Sequence, residues 1–175
     1  MAAYYDTGVL VPLYVEETFS DAVTTLVESR NEAVLFNLFH RLEMENAVRL
    51  KVFRNEMDSD RGRAVIRKIG SSVDDGRLAR RNVNWVAALE KARDIGKKAT
   101  AKAGCRTLDM MHIAIAVQWD CDLFITADSR QLRAAHLAGL DALDLREYDY
   151  GQDGSTRGPG AVKEKRSRYR VKKRK

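Results

Sequence analysis

Short apolar runs and long helical stretches alternate along most of this chain, and that alternation limits the folds open to it. Runs of strand character occupy residues 2–6, 33–36, 123–126 and 143–145. Helical spacing fills residues 9–14, 18–28 and 38–56, the last ending near Met57-Asp58-Ser59. Helical segments continue to about residue 104, with breaks around Gly70-Ser71-Ser72 and Asp74-Asp75-Gly76. Thr107 reads as the N-cap of a helix over 108–119. A further helix over 129–137 is closed by Gly139. Short strands alternating with helices predict an α/β fold, a central parallel sheet flanked by helices. Apolar periodicity stops at Tyr150. Residues 1–150 therefore read as one folded domain and 151–175 as a disordered basic tail.

The charge is divided in the same way. The last 25 residues hold ten Lys or Arg and only Asp153 and Glu164 as acids, a net +8. The whole chain carries +6, so the first 150 residues carry −2. This is a slightly acidic globule with a basic tail. No apolar run reaches the roughly 18 residues of a membrane span. The N-terminus lacks the basic and long apolar regions of a secretory signal. The expectation is a cytoplasmic protein without membrane association, with Cys105 and Cys121 as reduced thiols. No G-x-x-x-x-G-K-[ST] loop is present for nucleotide phosphates.

Four acids stand in places unusual for surface residues. Asp6 follows the first strand, and ligands of open α/β sheets bind beyond the carboxyl ends of strands. The plainer reading is a turn aspartate bonding its own backbone. Glu43 shares a helical stripe with Phe39, Ala47 and Leu50, where a carboxylate is costly unless paired or bound to a cation. Alternatively it snorkels or meets an arginine. Glu45, two residues on, falls between Arg41 and Arg49 as a solvated ion-pair ladder. Asp109 lies in the first turn of an apolar helix, in line with Ile113 and Ala116. The helix dipole alone would favour an acid there. Asp128 follows the 123–126 strand and also suits a helix N-cap. Thr126 stands two residues before it, placed to bond a neighbouring carboxylate or a bound water. His112 reads as a packed core histidine rather than a ligand, and His40 and His136 form no zinc spacing with it.

Together the four acids are placed to converge at one end of a parallel sheet. Clustered carboxylates repel unless a cation balances them. Sites rich in carboxylates and without His or Cys suit hard cations such as Mg²⁺ or Mn²⁺. Such ions position and activate water in phosphodiester hydrolysis. The D-T-G at 6–8 is also an aspartic-protease signature. Those enzymes are built largely of strands and need a second such aspartate. No second D-T-G exists here, so only a symmetric partner would supply one.

The segments D-T-G-V-L, E-M-E-N-A-V, R-T-L-D-M-M-H-I-A-I-A and F-I-T-A-D-S-R-Q-L-R-A-A-H-L-A-G-L resemble a PIN domain of the VapC toxin type. The resemblance spans roughly residues 3–145 and is most specific over 106–140. It implies a parallel sheet flanked by helices and a Mg²⁺- or Mn²⁺-dependent endoribonuclease. Asp6, Glu43, Asp109 and Asp128 would be its catalytic and metal-holding acids, with Thr126 as a further catalytic residue. Thr7 matches the hydroxyl that often follows the first acid. The resemblance further implies RNA as substrate (tRNA or rRNA), a cognate antitoxin that covers the acidic cleft, and a homodimer. The alternative is a PIN fold that binds RNA or antitoxin without cutting. An aspartyl-phosphate enzyme would want an aspartate two residues after Asp6, where Gly8 stands. The basic tail departs from the family pattern. It would concentrate RNA near an acidic cleft or simply aid solubility.

Overall fold

The computed structural model describes residues 2–148. The tail expected to be disordered, 151–175, lies outside the described residues. Strand β1 (Ala3–Tyr5) leads into α1 (Thr7–Leu10), a 3-10 turn at Val11–Leu13, and α2 (Ser20–Arg30). Then come β2 (Val34–Phe36), α3 (Leu38–Phe53), α4 (Ser59–Asp74) and β3 (Leu78–Arg80). The chain continues through α5 (Trp85–Ala103), α6 (Thr107–Gln118), β4 (Leu123–Thr126), α7 (Ser129–Leu137) and β5 (Asp141–Asp144), closing with a 3-10 turn at Leu145–Glu147.

Every strand pairing is parallel. One ladder runs in the order β1-β4-β5, and β2 pairs with β3 in a second, two-stranded ladder. Strands β1 and β2 are apolar throughout and β4 up to Thr126, because helices cover both faces, whereas Arg80 and Asp141 leave the ends of β3 and β5 polar. Within β1, Ala3 and Tyr5 join one core and Tyr4 the other, as the two-residue period of a strand requires. Within β4, Phe124 lies with Tyr4 and Ile125 lies with Tyr5. The first core takes residues from α1, α2, α3 and α4. The second takes them from α5, α6 and α7. Helix α6 is buried all round from Met110 to Ala116, which accounts for its unbroken apolar sequence.

The parallel sheet and its helical cover are as the alternation predicts, with four local corrections. The break predicted around Gly70-Ser71-Ser72 is absent. The buried stripe Val65, Ile69 and Ser72 carries α4 through it, and Gly70 faces open space. The break at Gly76 is real, with φ +80°. Strand β3 stands where helix was expected. Three residues are too few to show alternation, and only Leu78 is buried. The last strand covers Asp141–Asp144 rather than 143–145, because Asp144 caps the following turn at Arg146 N–H and Leu145 already belongs to that turn. Helix α6 begins at Thr107, with Arg106 in the cap position. The Asp109 carboxylate reaches back to accept the Arg106 N–H at 2.9 Å, and no hydroxyl caps the helix.

Candidate active site

Strands β1 and β4 end side by side, and both continue into acids. The ladder extends one residue beyond β1, with Asp6 N–H donating to Ile125 O at 2.9 Å. Asp6 then caps α1, its Oδ2 accepting from Gly8 N–H at 3.3 Å. Its Oδ1 accepts from the Gln131 side-chain amide at 3.2 Å. Burial pushes the Asp6 carboxyl above its ordinary range, against the opposing pull of His112 and of the Gln131 bond. No lysine or arginine bonds it among the described residues.

Asp128 caps α7, with Oδ1 accepting from Arg130 N–H at 2.7 Å. The Arg130 guanidinium returns to the same carboxylate, Nη2 to Oδ2 at 2.9 Å, and holds Asp128 below its ordinary range. Thr126 is fully buried. Its hydroxyl accepts from Asp128 N–H at 3.0 Å and donates to Gln131 Oε1 at 2.6 Å. Gln131 passes the chain on to Asp6 and also donates to the Asp109 carbonyl at 3.4 Å. One buried glutamine thus ties three of the expected elements together. Thr126 acts on backbone and amide, without touching a carboxylate side chain.

Glu43 is reached from the other core. Its Oε2 accepts from the Thr7 hydroxyl at 2.7 Å and lies 2.6 Å from His112 Nε2. Burial opposes its charge, yet the bonds from His112 and Thr7 hold the carboxyl below its ordinary range. Tyr4 OH lies 2.8 Å from His112 Nδ1. A carboxylate at Nε2 assigns the N–H to that nitrogen, so in the neutral ring Nδ1 accepts from Tyr4 OH. His112 is buried among aromatic rings, as the core reading expects, and it also orients Glu43 and stands 3.6 Å from Asp6 Oδ1. The sequence signal for that second role was its place three residues after Asp109, one helical turn along α6. Gln131, Arg130 and Arg146 carried no signal beyond proximity to acids.

Asp6 and Asp128 line one cavity of about 520 Å³ with Gly8, Ala127, Ser129, Arg130 and Arg146. Glu43 joins Asp6 through His112, and Asp109 joins it through the carbonyl bonded by Gln131. Among the described residues, no three His, Cys, Asp or Glu side chains form a group able to hold a metal ion. Each of three acids is turned to a partner of its own: Glu43 to Thr7 and His112, Asp109 to Arg106 N–H, Asp128 to Arg130. The donor chemistry nevertheless fits a hard cation. All four groups are carboxylates, and Asp6 is a shielded carboxylate with no basic side chain bonded to it.

The PIN domain profile matches residues 3–137, more than half of the chain. The chain belongs to the PIN-domain family. Members of that family are generally nucleases. Comparison with curated protein sequences gives no match. Among solved structures, the crystal structure of FitAcB from Neisseria gonorrhoeae resembles this PIN domain with a TM-score of 0.61 and 16% identity. That likeness covers 83% of this chain and 99% of that one. At this identity the likeness speaks for the fold alone. The span matched by the PIN profile contains Asp6, Glu43, Asp109, Thr126 and Asp128.

Proposed function

We propose that this PIN domain is a metal-dependent endoribonuclease that hydrolyses RNA phosphodiester bonds beside Asp6, and that it is the toxin of a toxin–antitoxin pair. The carrying observation is Asp6 itself: a mostly buried carboxylate at the carboxyl end of β1, opening on a cavity shared with Asp128 and bonded by no basic side chain among the described residues. Asp6, Glu43, Asp109 and Asp128 would hold Mg²⁺ or Mn²⁺. When bound, such an ion supplies a water of lowered pKa and a positive charge for the phosphoryl oxygens. The chain's own residues do the positioning. Gln131 fixes Asp6, Thr126 fixes Gln131 and the Asp128 backbone, and Thr7 with His112 fixes Glu43.

RNA as substrate, tRNA or rRNA, and a cognate antitoxin follow from the toxin reading. Among the described residues, no helix is long and apolar enough to cross a membrane, and a cytoplasmic setting belongs to the same reading. A second reading, a silent RNA- or antitoxin-binding module, is favoured by one observation. Arg130 already neutralises Asp128, the place where a cation would bind.

The deciding experiment is cleavage of a mixed tRNA and rRNA pool by the purified protein, with Mg²⁺ or Mn²⁺ and with EDTA. Wild type cuts only with metal, and Asp6→Asn and Asp109→Asn each remove cutting while the fold persists by circular dichroism. Folded, antitoxin-free protein that leaves every RNA intact with either metal moves the assignment to the silent module.

A further inference from the structure

Arg130 and Arg146 occupy equivalent places in the fold. Strands β4 and β5 are parallel neighbours, with Thr126 opposite Asp144. Each strand runs out into an Asp-x-Arg: Asp128-Ser129-Arg130 and Asp144-Leu145-Arg146. In both, Oδ1 accepts the arginine's own backbone N–H, at 2.7 Å and 3.0 Å. In both, Nε reaches Oδ1, at 3.3 Å and 2.8 Å, and Nη2 reaches Oδ2. Two identical forks therefore stand side by side at the carboxyl edge of the sheet. Both arginines line the cavity that holds Asp6 and Asp128.

The geometry leaves each guanidinium available to a ligand. The carboxylate takes the Nε and Nη2 edge, and Nη1 is not used by these bonds. Both side chains are 42% exposed, whereas Asp144, which anchors Arg146, is only 8% exposed. The anchor of Arg146 is thus buried, that of Arg130 is 33% exposed, and both cations line the cavity. An Asp-x-Arg fork by itself means little. Asp75 and Arg77 form one in an exposed turn that does not line this cavity. What sets the other two apart is their shared cavity beside a carboxylate that would repel a polyanion. A planar guanidinium matches a phosphate through paired donors, as the compact ammonium of lysine does not.

We propose that Arg130 and Arg146 form a phosphate clamp that seats the backbone of single-stranded RNA beside Asp6. The proposal rests on the nuclease reading for its substrate and extends it with a subsite. The test uses the full chain in EDTA, so that nothing is cut, with a short fluorescent oligoribonucleotide and the matching oligodeoxyribonucleotide. Arg130→Gln and Arg146→Gln should each weaken RNA binding about fivefold to tenfold, the loss expected for one partly exposed hydrogen bond. Each should also flatten the plot of log affinity against log salt by about 0.7. Arg130→Lys and Arg146→Lys keep a cation for the aspartates, guard against misfolding, and should recover only part of the loss. Arg77→Gln should bind as wild type. The Nε–Hε signals lost in the two lysine variants identify these side chains in a ¹H–¹⁵N spectrum, and both should shift on adding RNA. Folded variants that bind as wild type, or Arg130 and Arg146 signals that do not move, overturn the clamp. DNA bound as tightly as RNA, with the same losses, overturns RNA as its ligand. Cleavage with Mg²⁺ is scored apart. A chain that binds through both arginines and never cuts loses the nuclease reading and keeps the clamp. A chain that cuts through Asp6, with both glutamine variants binding and cutting as wild type, loses only the clamp.

Discussion

Gly8 stands two residues after Asp6, and a Cβ there would lie 3.1 Å from Asp6 Oδ2. The glycine of D-T-G therefore keeps the outer oxygen of Asp6 uncrowded, while Thr7 reaches Glu43. Gln131 works on the inner oxygen. Replacing it with leucine leaves the buried Thr126 hydroxyl without its acceptor and Asp6 Oδ1 without its amide donor. Gln131→Leu should cost about 1–3 kcal/mol, read from urea unfolding, the usual penalty for a stranded buried polar group. A variant as stable as wild type would show the chain from Thr126 to Asp6 to be incidental. His40 is the residue with a pH signature. Burial, with His112 stacked 5.3 Å away, pushes its imidazole well below 6.5. A depressed value means the native state resists the proton that the unfolded chain accepts. Its contribution is therefore full above pH 6.5 and is lost progressively as pH falls below that. The Tm of wild type should drop on acidification through this window, and His40→Gln should remove part of the drop. Parallel pH profiles for the two proteins would exclude His40 as a source.

At the scale of elements, α3 matters most, since it carries both His40 and Glu43. Asn37 begins it, with Oδ1 accepting from Phe39 N–H at 2.8 Å and His40 N–H at 2.9 Å. Two otherwise unpaired donors are thereby satisfied. Helix α4 crosses α3 at Gly62, where a Cβ would come within 2.7 Å of Val52 Cγ2. Gly62→Ala should destabilise the fold by about 1–3 kcal/mol through overpacking, despite alanine's better helix propensity. A thermal melt decides the sign, and a rise in Tm would mean the two helices separate at no cost. The same helix shows why Gly70 misleads a sequence reading. A glycine facing solvent lowers helix propensity by only about 1 kcal/mol, and the buried stripe on the opposite side outweighs it.

At the scale of the molecule, the apolar surface is informative. Leu38 and Leu42, one turn apart on α3, are exposed, as are Val86 and Leu89 on α5. Exposed leucines set singly need no explanation, but pairs on two helices suit a second copy of the chain. Light scattering should give a dimer mass for wild type, and Leu42→Glu with Leu89→Glu should halve it. A wild-type monomer would leave these side chains without a structural reason. Both cysteines are free and buried, and burial pushes the thiols up to about 12 for Cys105 and about 11 for Cys121. Neither is suited to act as a nucleophile.

The sequence by itself determined the fold class, because strand and helix periodicities are local and the strands were apolar enough to need cover on both faces. It also placed Asp6 and Asp128 at strand ends and located the α6 helix within a residue. The tertiary structure decided what each acid touches. Thr7 and Glu43 are 36 residues apart, Tyr4 and His112 are 108 apart, and Gln131 reaches Asp6 across 125. Partners so distant are chosen by how the crossovers bring strand ends together, and no local pattern records that. The short-range pairs, Asp128 with Arg130 and Asp144 with Arg146, were written in the sequence. Their common cavity exists only because β4 and β5 lie side by side.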